Sequence, residues 1–284
     1  MIYLWIASLI WAFSFVLIKG ELTGLPSSYV AMVRMALALL AFVPFFRPTD
    51  LKDKQTLQLF AIGMIQFGLM YILYIHAYKY LAAHEVALFT ITTPFFVTLL
   101  HDLLEKKLNQ FSLWMVLVCI TGSAIIKYTE MARMDFWLGF AILQLANLCF
   151  AFGQVVYKRM FANKHVDQKE AFVPMYFGAL CITVLATWAQ VDLATVSPTA
   201  RQWWVLLYLG LLPSGLCFFL WNKGAVVVRA GSLAIMNNMK IPLAIICALV
   251  FFGESTNIPR LLIGSMLIGF SLWMAEKKQP HNTQ

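Results

Sequence analysis

Apolar residues in this chain neither alternate nor recur in stripes; they run on. Continuous apolar stretches occupy about 2–18, 29–46, 57–80, 84–102, 110–128, 136–157, 171–190, 202–222, 231–252 and 258–275. Each is long enough to carry a helix across roughly 30 Å of hydrocarbon at about 1.5 Å per residue. A membrane barrel would instead show short segments of alternating polarity. The pattern predicts an all-α membrane protein with ten transmembrane helices joined by short connections. Composition agrees: 61% of the 284 residues are hydrophobic and 12% charged, more apolar surface than a soluble domain of this size hides. The first run begins at Ile2 without a basic leader, so a retained helix is expected there rather than a signal peptide. Cys119, Cys149, Cys181, Cys217 and Cys247 all lie within runs and form no Cys-x-x-Cys pair, so free buried thiols are expected.

The net charge of +8 raises the question of nucleic acid, but its placement answers otherwise. With the N-terminus in the cytoplasm, Arg47, Lys52, Lys54, Lys106, Lys107, Lys158, Arg159, Lys164, Lys169, Lys223, Arg229, Lys277 and Lys278 fall inside. Lys19, Lys79, Lys127, Arg133, Arg201 and Arg260 fall outside, and Arg34 and Lys240 stay within runs. The basic excess is an orientation signal that predicts an N-in/C-in topology. No nucleic acid partner is expected.

Self-comparison divides the chain. At an offset of 147, residues 63–88 lie on 210–235, so that Gly63 meets Gly210, Gly68 meets Gly215 and Tyr74 meets Trp221. One residue of slip later, Pro94 meets Pro242. Near the start, "WAFSFVLIK" (11–19) matches "FAFGQVVYK" (150–158). The expected organisation is a five-helix repeat over 1–130, a second over 131–276, and a cytoplasmic tail over 277–284. An odd number of spans per repeat inverts the second copy. Inverted halves exchange conformations around a shared central site, which is the geometry of alternating access. Pro94 and Pro242, at matching places, are the expected gating positions, and the glycine pairs the expected close-packing surfaces.

Polar residues inside runs are the candidates for binding. "IMNNMKIP" (235–242) places Asn237, Asn238 and Lys240 near the middle of the ninth run. The repeat sets Thr90 and Thr93 against that face. All 13 acidic residues lie at run ends or in connections, so Lys240 has no obvious acid partner: it is deprotonated, sits in a water-filled cavity, or is completed by an anionic ligand. Arg34, alone in the second run, is the second candidate for an anion, with snorkelling outward as its alternative. Trp11, Phe13, Tyr71, Tyr74, Gln144, Asn147, Gln154, Trp221 and Asn222 supply rings and amides around these charges. Together they suit a solute with one carboxylate, a hydrogen-bonding head and an apolar body. "HDLLE" (101–105) and the group His76, His84 and Glu85 are weaker candidates for proton or metal binding. No Gly-x-Ser-x-Gly or His-Glu-x-x-His pattern points to an enzyme. No cofactor or metal is expected.

"LIWAFSFVLIK", the single Arg34, "GES" after the ninth run and "GSMLIGFSLW" in the tenth resemble the EamA-type members of the drug/metabolite transporter superfamily. Along nearly the whole chain, "WAFSF", "YVAMVRMALALLAFVPF", "LFTITTPFFVTL" and "AGSLAIMNNMKIP" resemble the bacterial biotin importers of that superfamily most closely. The resemblance implies a histidine after "IMNNM", where this chain departs with Lys240. The resemblance implies a multi-pass secondary transporter of the bacterial inner membrane that imports biotin, with export of amino acids or related metabolites as the alternative. It implies lipid as the surrounding partner and leaves a homodimer open. Lys240 or Arg34 is then expected to bind the carboxylate, and Asn237 and Asn238 the ureido group.

Overall fold

The computed structural model describes residues 2–46, 53–104, 134–161, 168–227 and 257–277, with isolated positions among 105–133. No strand occurs among the described residues. Seven helical spans are long and apolar enough to cross a membrane: α1 Ile2–Leu22, α2 Ser27–Phe45, α3 Lys54–Ala77, α4 Glu85–Leu104, α5 Asp135–Phe161, α6 Gln168–Gln190 and α7 Ala200–Val227. An eighth helix, α8, covers Ile258–Lys277. Each begins and ends within a few residues of an apolar run. The ninth run, with Asn237, Asn238, Lys240 and Pro242, and all but isolated positions of the fifth lie outside the described residues.

The helix ends follow from local chemistry. Pro26, with ψ near 132°, stays outside the helix and opens α2. Thr199 opens α7 with a reciprocal cap: its hydroxyl accepts from Gln202 N at 3.2 Å, and its own N–H donates to Gln202 Oε1 at 2.9 Å. Ala82 N donates to Glu85 at 2.9 Å at the start of α4.

Three helices carry a π-helical stretch among the described residues: Ile18–Leu22 at the end of α1, Met64–Leu69 in α3 and Gly210–Leu216 in α7. The offset of 147 carries 64–69 onto 211–216, so the last two sit at matching places under that self-comparison. A π stretch loosens the regular ladder and frees carbonyls, and Pro213 removes a donor as well. Freed carbonyls at membrane depth need partners. In α7 they find them: the Trp11 indole N–H donates to Pro213 O at 2.9 Å, and the Tyr176 hydroxyl is shared between Ser214 O at 2.6 Å and Gly215 O at 2.8 Å. Thus α1 and α6 are both fastened to the irregular turn of α7.

α2 packs on α6 and α7, α3 on α5 and α6, α1 on α7, and α4 on α5. Glycine sets the closest crossing. A Cβ on Gly63 would stand 1.9 Å from the Met175 carbonyl oxygen, and one on Gly178 would stand 2.1 Å from that of Phe60, so α3 and α6 meet backbone to backbone. Large apolar side chains cover the outside, with Trp188 80% and Trp204 73% exposed, as a lipid-facing surface requires. Phe13 belongs there too: it points outward from α1, away from the interior set in which the sequence had placed it, because a run apolar on every side does not reveal which face turns in.

Candidate functional site

Helices α1 to α5 and α7 surround one cavity. Trp11, Ser14, Phe15, Arg34, Met70, Tyr71, Tyr74, Thr90, Thr93, Ala146, Asn147, Phe150 and Phe218 enclose about 520 Å³ of empty space, counting its open mouth. Of the expected binding residues, Trp11, Arg34, Tyr71, Tyr74, Thr90, Thr93 and Asn147 come together on this wall. Trp221 stands behind it, fully buried, with its ring 5.0 Å from that of Trp11.

Arg34 is the centre of the arrangement. It lies seven residues into α2, about 10 Å along the axis, and does not snorkel: only 1% of it is exposed. Its Nε donates to Ser214 Oγ at 2.9 Å and its Nη2 to Tyr71 Oη at 2.8 Å. The guanidinium carbon sits 4.1 Å from the centre of the Tyr71 ring, a cation–π contact. Among the described residues no carboxylate pairs with it, and its Nη1 is buried without a partner. A buried charge is costly to hold unless its donors are met. The structure therefore keeps a guanidinium at membrane depth with one arm unspent.

The guanidinium only donates, so the hydroxyls beside it accept. Ser214 Oγ accepts from Arg34 and lies 3.2 Å from Tyr71 Oη, to which it donates. Tyr71 Oη thus accepts from both Arg34 and Ser214, and its own proton is left to donate elsewhere. An Nη1–H and a phenolic O–H from neighbouring residues form a pair of donors suited to one carboxylate.

The opposite wall is built by the break in α4. Helix gives way to a 3-10 turn at Thr90–Thr92, just before Pro94. Proline strips Thr90 O of its regular donor, and the Thr93 N–H and hydroxyl replace it, the latter at 2.7 Å. The Thr90 hydroxyl donates to Ala87 O at 2.6 Å. From α5, Asn147 Nδ2 donates to Phe89 O at 3.1 Å and Thr92 Oγ1 at 3.0 Å, with Gln144 Oε1 at 3.4 Å. With Nδ2 directed at these acceptors, no donor to Asn147 Oδ1 occurs among the described residues. The break's carbonyls are therefore satisfied within the protein, and what α4 offers the cavity is methyl groups and hydroxyl oxygens. Tyr74, bonded at its hydroxyl to that of Tyr78 at 2.7 Å, Phe15, 6.0 Å from Tyr74 ring to ring, and Phe150 complete an apolar body.

The EamA-like transporter family model matches residues 1–128 and again 137–276. The chain belongs to the EamA-like transporter family. Among its relatives are the biotin transporter of Escherichia coli, 36% identical with 96% of this chain and 91% of that protein covered, and that of Salmonella typhimurium, 37% identical over the same shares. The probable biotin transporter of Pseudomonas aeruginosa is 38% identical, with 96% of each chain covered. A solved crystal structure matches 98% of this chain and 98% of its own with a TM-score of 0.70 at 15% identity, a likeness of fold alone. With its bacterial relatives and seven membrane-length spans, this EamA-like transporter is a multi-pass protein of the bacterial inner membrane.

Ser214 is the partner that sequence reasoning missed. Pro213 beside it, a proline inside the run at 202–222, marked the irregular turn that brings its hydroxyl to Arg34. The His101–Asp102 contact at 4.0 Å is at an exposed helix end, and no group of metal-ligating residues occurs among the described residues.

Proposed function

We propose that this transporter imports biotin, with the cavity at Arg34 as its substrate site. The observation that carries the proposal is the buried guanidinium with an unspent Nη1 beside the free phenolic proton of Tyr71. A carboxylate there meets a cation and two donors. Asn147 Oδ1 offers an acceptor to a ureido N–H, and Trp11, Phe15, Tyr74 and Phe150 take the thioether ring and aliphatic arm. Thr90 and Thr93 line the same wall. The biotin transporters among its relatives support this choice of cargo over amino acids. Lys240, Asn237 and Asn238 are proposed as the contribution of the ninth helix: a second cation and further amides for the head group.

The architecture proposed around this site is ten helices in two inverted five-helix repeats, 1–130 and 131–276, followed by the tail 277–284, with both termini cytoplasmic. The two family matches, the paired π stretches and the exchange of partners support it: the second run packs on the eighth, and the third on the seventh. Alternating access then follows from rocking one half against the other, with the break before Pro94 and its counterpart at Pro242 as hinge points. Labelled-biotin uptake into bacteria lacking their own importer tests the proposal. Saturable uptake that depends on this chain and falls away in Arg34→Gln supports it; no uptake, or uptake indifferent to that change, refutes it.

A further inference from the structure

Beyond the cavity lies a second set of buried polar groups. Gln66 Nε2 donates to Asn222 Oδ1 at 3.2 Å, and both residues are fully buried. Among the described residues Gln66 Oε1 and Asn222 Nδ2 have no partner, and neither Nε2 nor Oε1 of Gln154 has one. Gln154 follows Gly153 on α5, and Gly153 is where Gln66 rests: a Cβ there would stand 2.2 Å from Gln66 Cγ.

The position is fixed by two contacts between α3 and α7. Tyr71 pairs with Ser214, and Gln66 with Asn222. Residue numbers fall on one helix as they rise on the other, so the helices are antiparallel and both steps lead the same way. Five residues on α3 and eight on α7 place the amides about 7 to 12 Å beyond the guanidinium cluster. In the proposed topology this is the cytoplasmic direction. Phe218, midway between Ser214 and Asn222, stands between the two sites. Its ring lies 4.7 Å from Phe67, 5.2 Å from Trp11 and 5.7 Å from Phe150. These rings separate the cavity from the amides.

Orphaned amide atoms are expensive in a dry interior, and leucine or methionine would fill the same space without that cost. The unpaired valences have a definite complement. Gln66 and Asn222 together leave one acceptor and one donor, and turning both amides over leaves the same pair. Gln154 adds one of each. A cyclic urea presents a carbonyl between two N–H groups and satisfies them.

We infer that Gln66, Asn222 and Gln154 form a second solute site, a station for the neutral urea or amide head of the cargo, reached when the ring layer around Phe218 parts. The inference rests on the reading of the cavity as a transport site. It gives the cargo polar partners on both sides of the apolar layer, while the anion is met on one side by Arg34.

The test uses purified full-length protein in liposomes, with labelled biotin as cargo and lipoate as competitor; lipoate has the same pentanoate arm and no urea. Gln154→Met is the decisive variant, because it removes no hydrogen bond made among the described residues and is expected to fold with an unchanged or raised Tm. It is expected to weaken biotin by about tenfold, the loss of one or two hydrogen bonds, while inhibition by lipoate stays as in the wild type. Gln66→Met is expected to do the same. An unchanged biotin-to-lipoate ratio in Gln154→Met and Gln66→Met overturns the inference, even if Tm falls, since amides that only hold helices together would not distinguish the two solutes. Arg34→Gln in the same assay weakens both carboxylates alike, so its failure counts against the biotin site and not against the amide station. Should the wild type carry no biotin, 2-imidazolidone decides: this neutral cyclic urea is expected to raise the Tm of the wild type and not of Gln154→Met, and equal or absent protection overturns the inference.

Discussion

Replacing Arg34 by glutamine removes the charge and leaves the surrounding packing in place. Two charge-assisted hydrogen bonds are lost, to Ser214 at 2.9 Å and to Tyr71 at 2.8 Å, each contributing about 1.5–3 kcal/mol. Against this, a neutral amide at membrane depth avoids the charge penalty of about 2.5–3.5 kcal/mol. The glutamine amide also regains one bond, and Ser214 and Tyr71, 3.2 Å apart, retain each other. The net change in stability is therefore about 2 kcal/mol or less, and the variant folds. Binding behaves differently, because nothing replaces the cation that meets the carboxylate. Truncating one side of a buried charged pair costs about 2–5 kcal/mol, or about thirtyfold to several-thousand-fold in affinity at about 1.4 kcal/mol per decade. Biotin titration of purified protein, read by ligand-induced change in Tm and by radioligand binding, measures both effects together. A folded Arg34→Gln protein that binds biotin within about threefold of the wild type would refute the reasoning.

Other changes separate packing from recognition. Gly63→Ala forces a Cβ to 1.9 Å from the Met175 carbonyl oxygen and is expected to abolish folded protein by detergent size exclusion, whereas Gly24→Ala, with nothing within 4 Å, is expected to leave the elution profile unchanged. Trp11→Phe keeps a ring against Phe218 and strands Pro213 O; it is expected to lose about 1–3 kcal/mol of stability, seen as a lower Tm in thermal melts. Arg201→Ala breaks an exposed ion pair with Glu21 and is expected to change stability by about 1 kcal/mol or less, within a few degrees in the same melts. Biotin binding is expected to follow the ionised fraction of its carboxylate, present at neutral pH and lost as pH falls through about 4.3, the range of an aliphatic acid; equal binding of acid and anion in a pH titration would contradict the site.

The spans were legible because lipid imposes one rule on every position of a crossing helix: the runs at 57–80 and 171–190 fall within a few residues of α3 and α6. Arg34 was legible for the same reason, as a lone charge where none is tolerated without purpose. Its partners were not. Ser214 and Tyr71 reach it from other helices, and which residues meet depends on crossings that no single run encodes. Phe13 shows the same limit from the apolar side, since facing is invisible where every face is apolar. Gln66 is inconspicuous in the sequence because one amide in an apolar run carries no charge to demand an explanation; its pairing with Asn222 across the α3–α7 crossing gives it meaning. Proline and glycine were the better guides to irregularity: the π stretch at Gly210–Leu216 contains Pro213, and the break at Thr90–Thr92 precedes Pro94.

A structure of the protein with biotin bound tests the central claim most directly. The account predicts a carboxylate oxygen about 2.7–2.9 Å from Arg34 Nη1, the other oxygen accepting from Tyr71 Oη, and the arm lying along Trp11 and Phe150. A carboxylate held elsewhere, with Nη1 still without a partner, would contradict it.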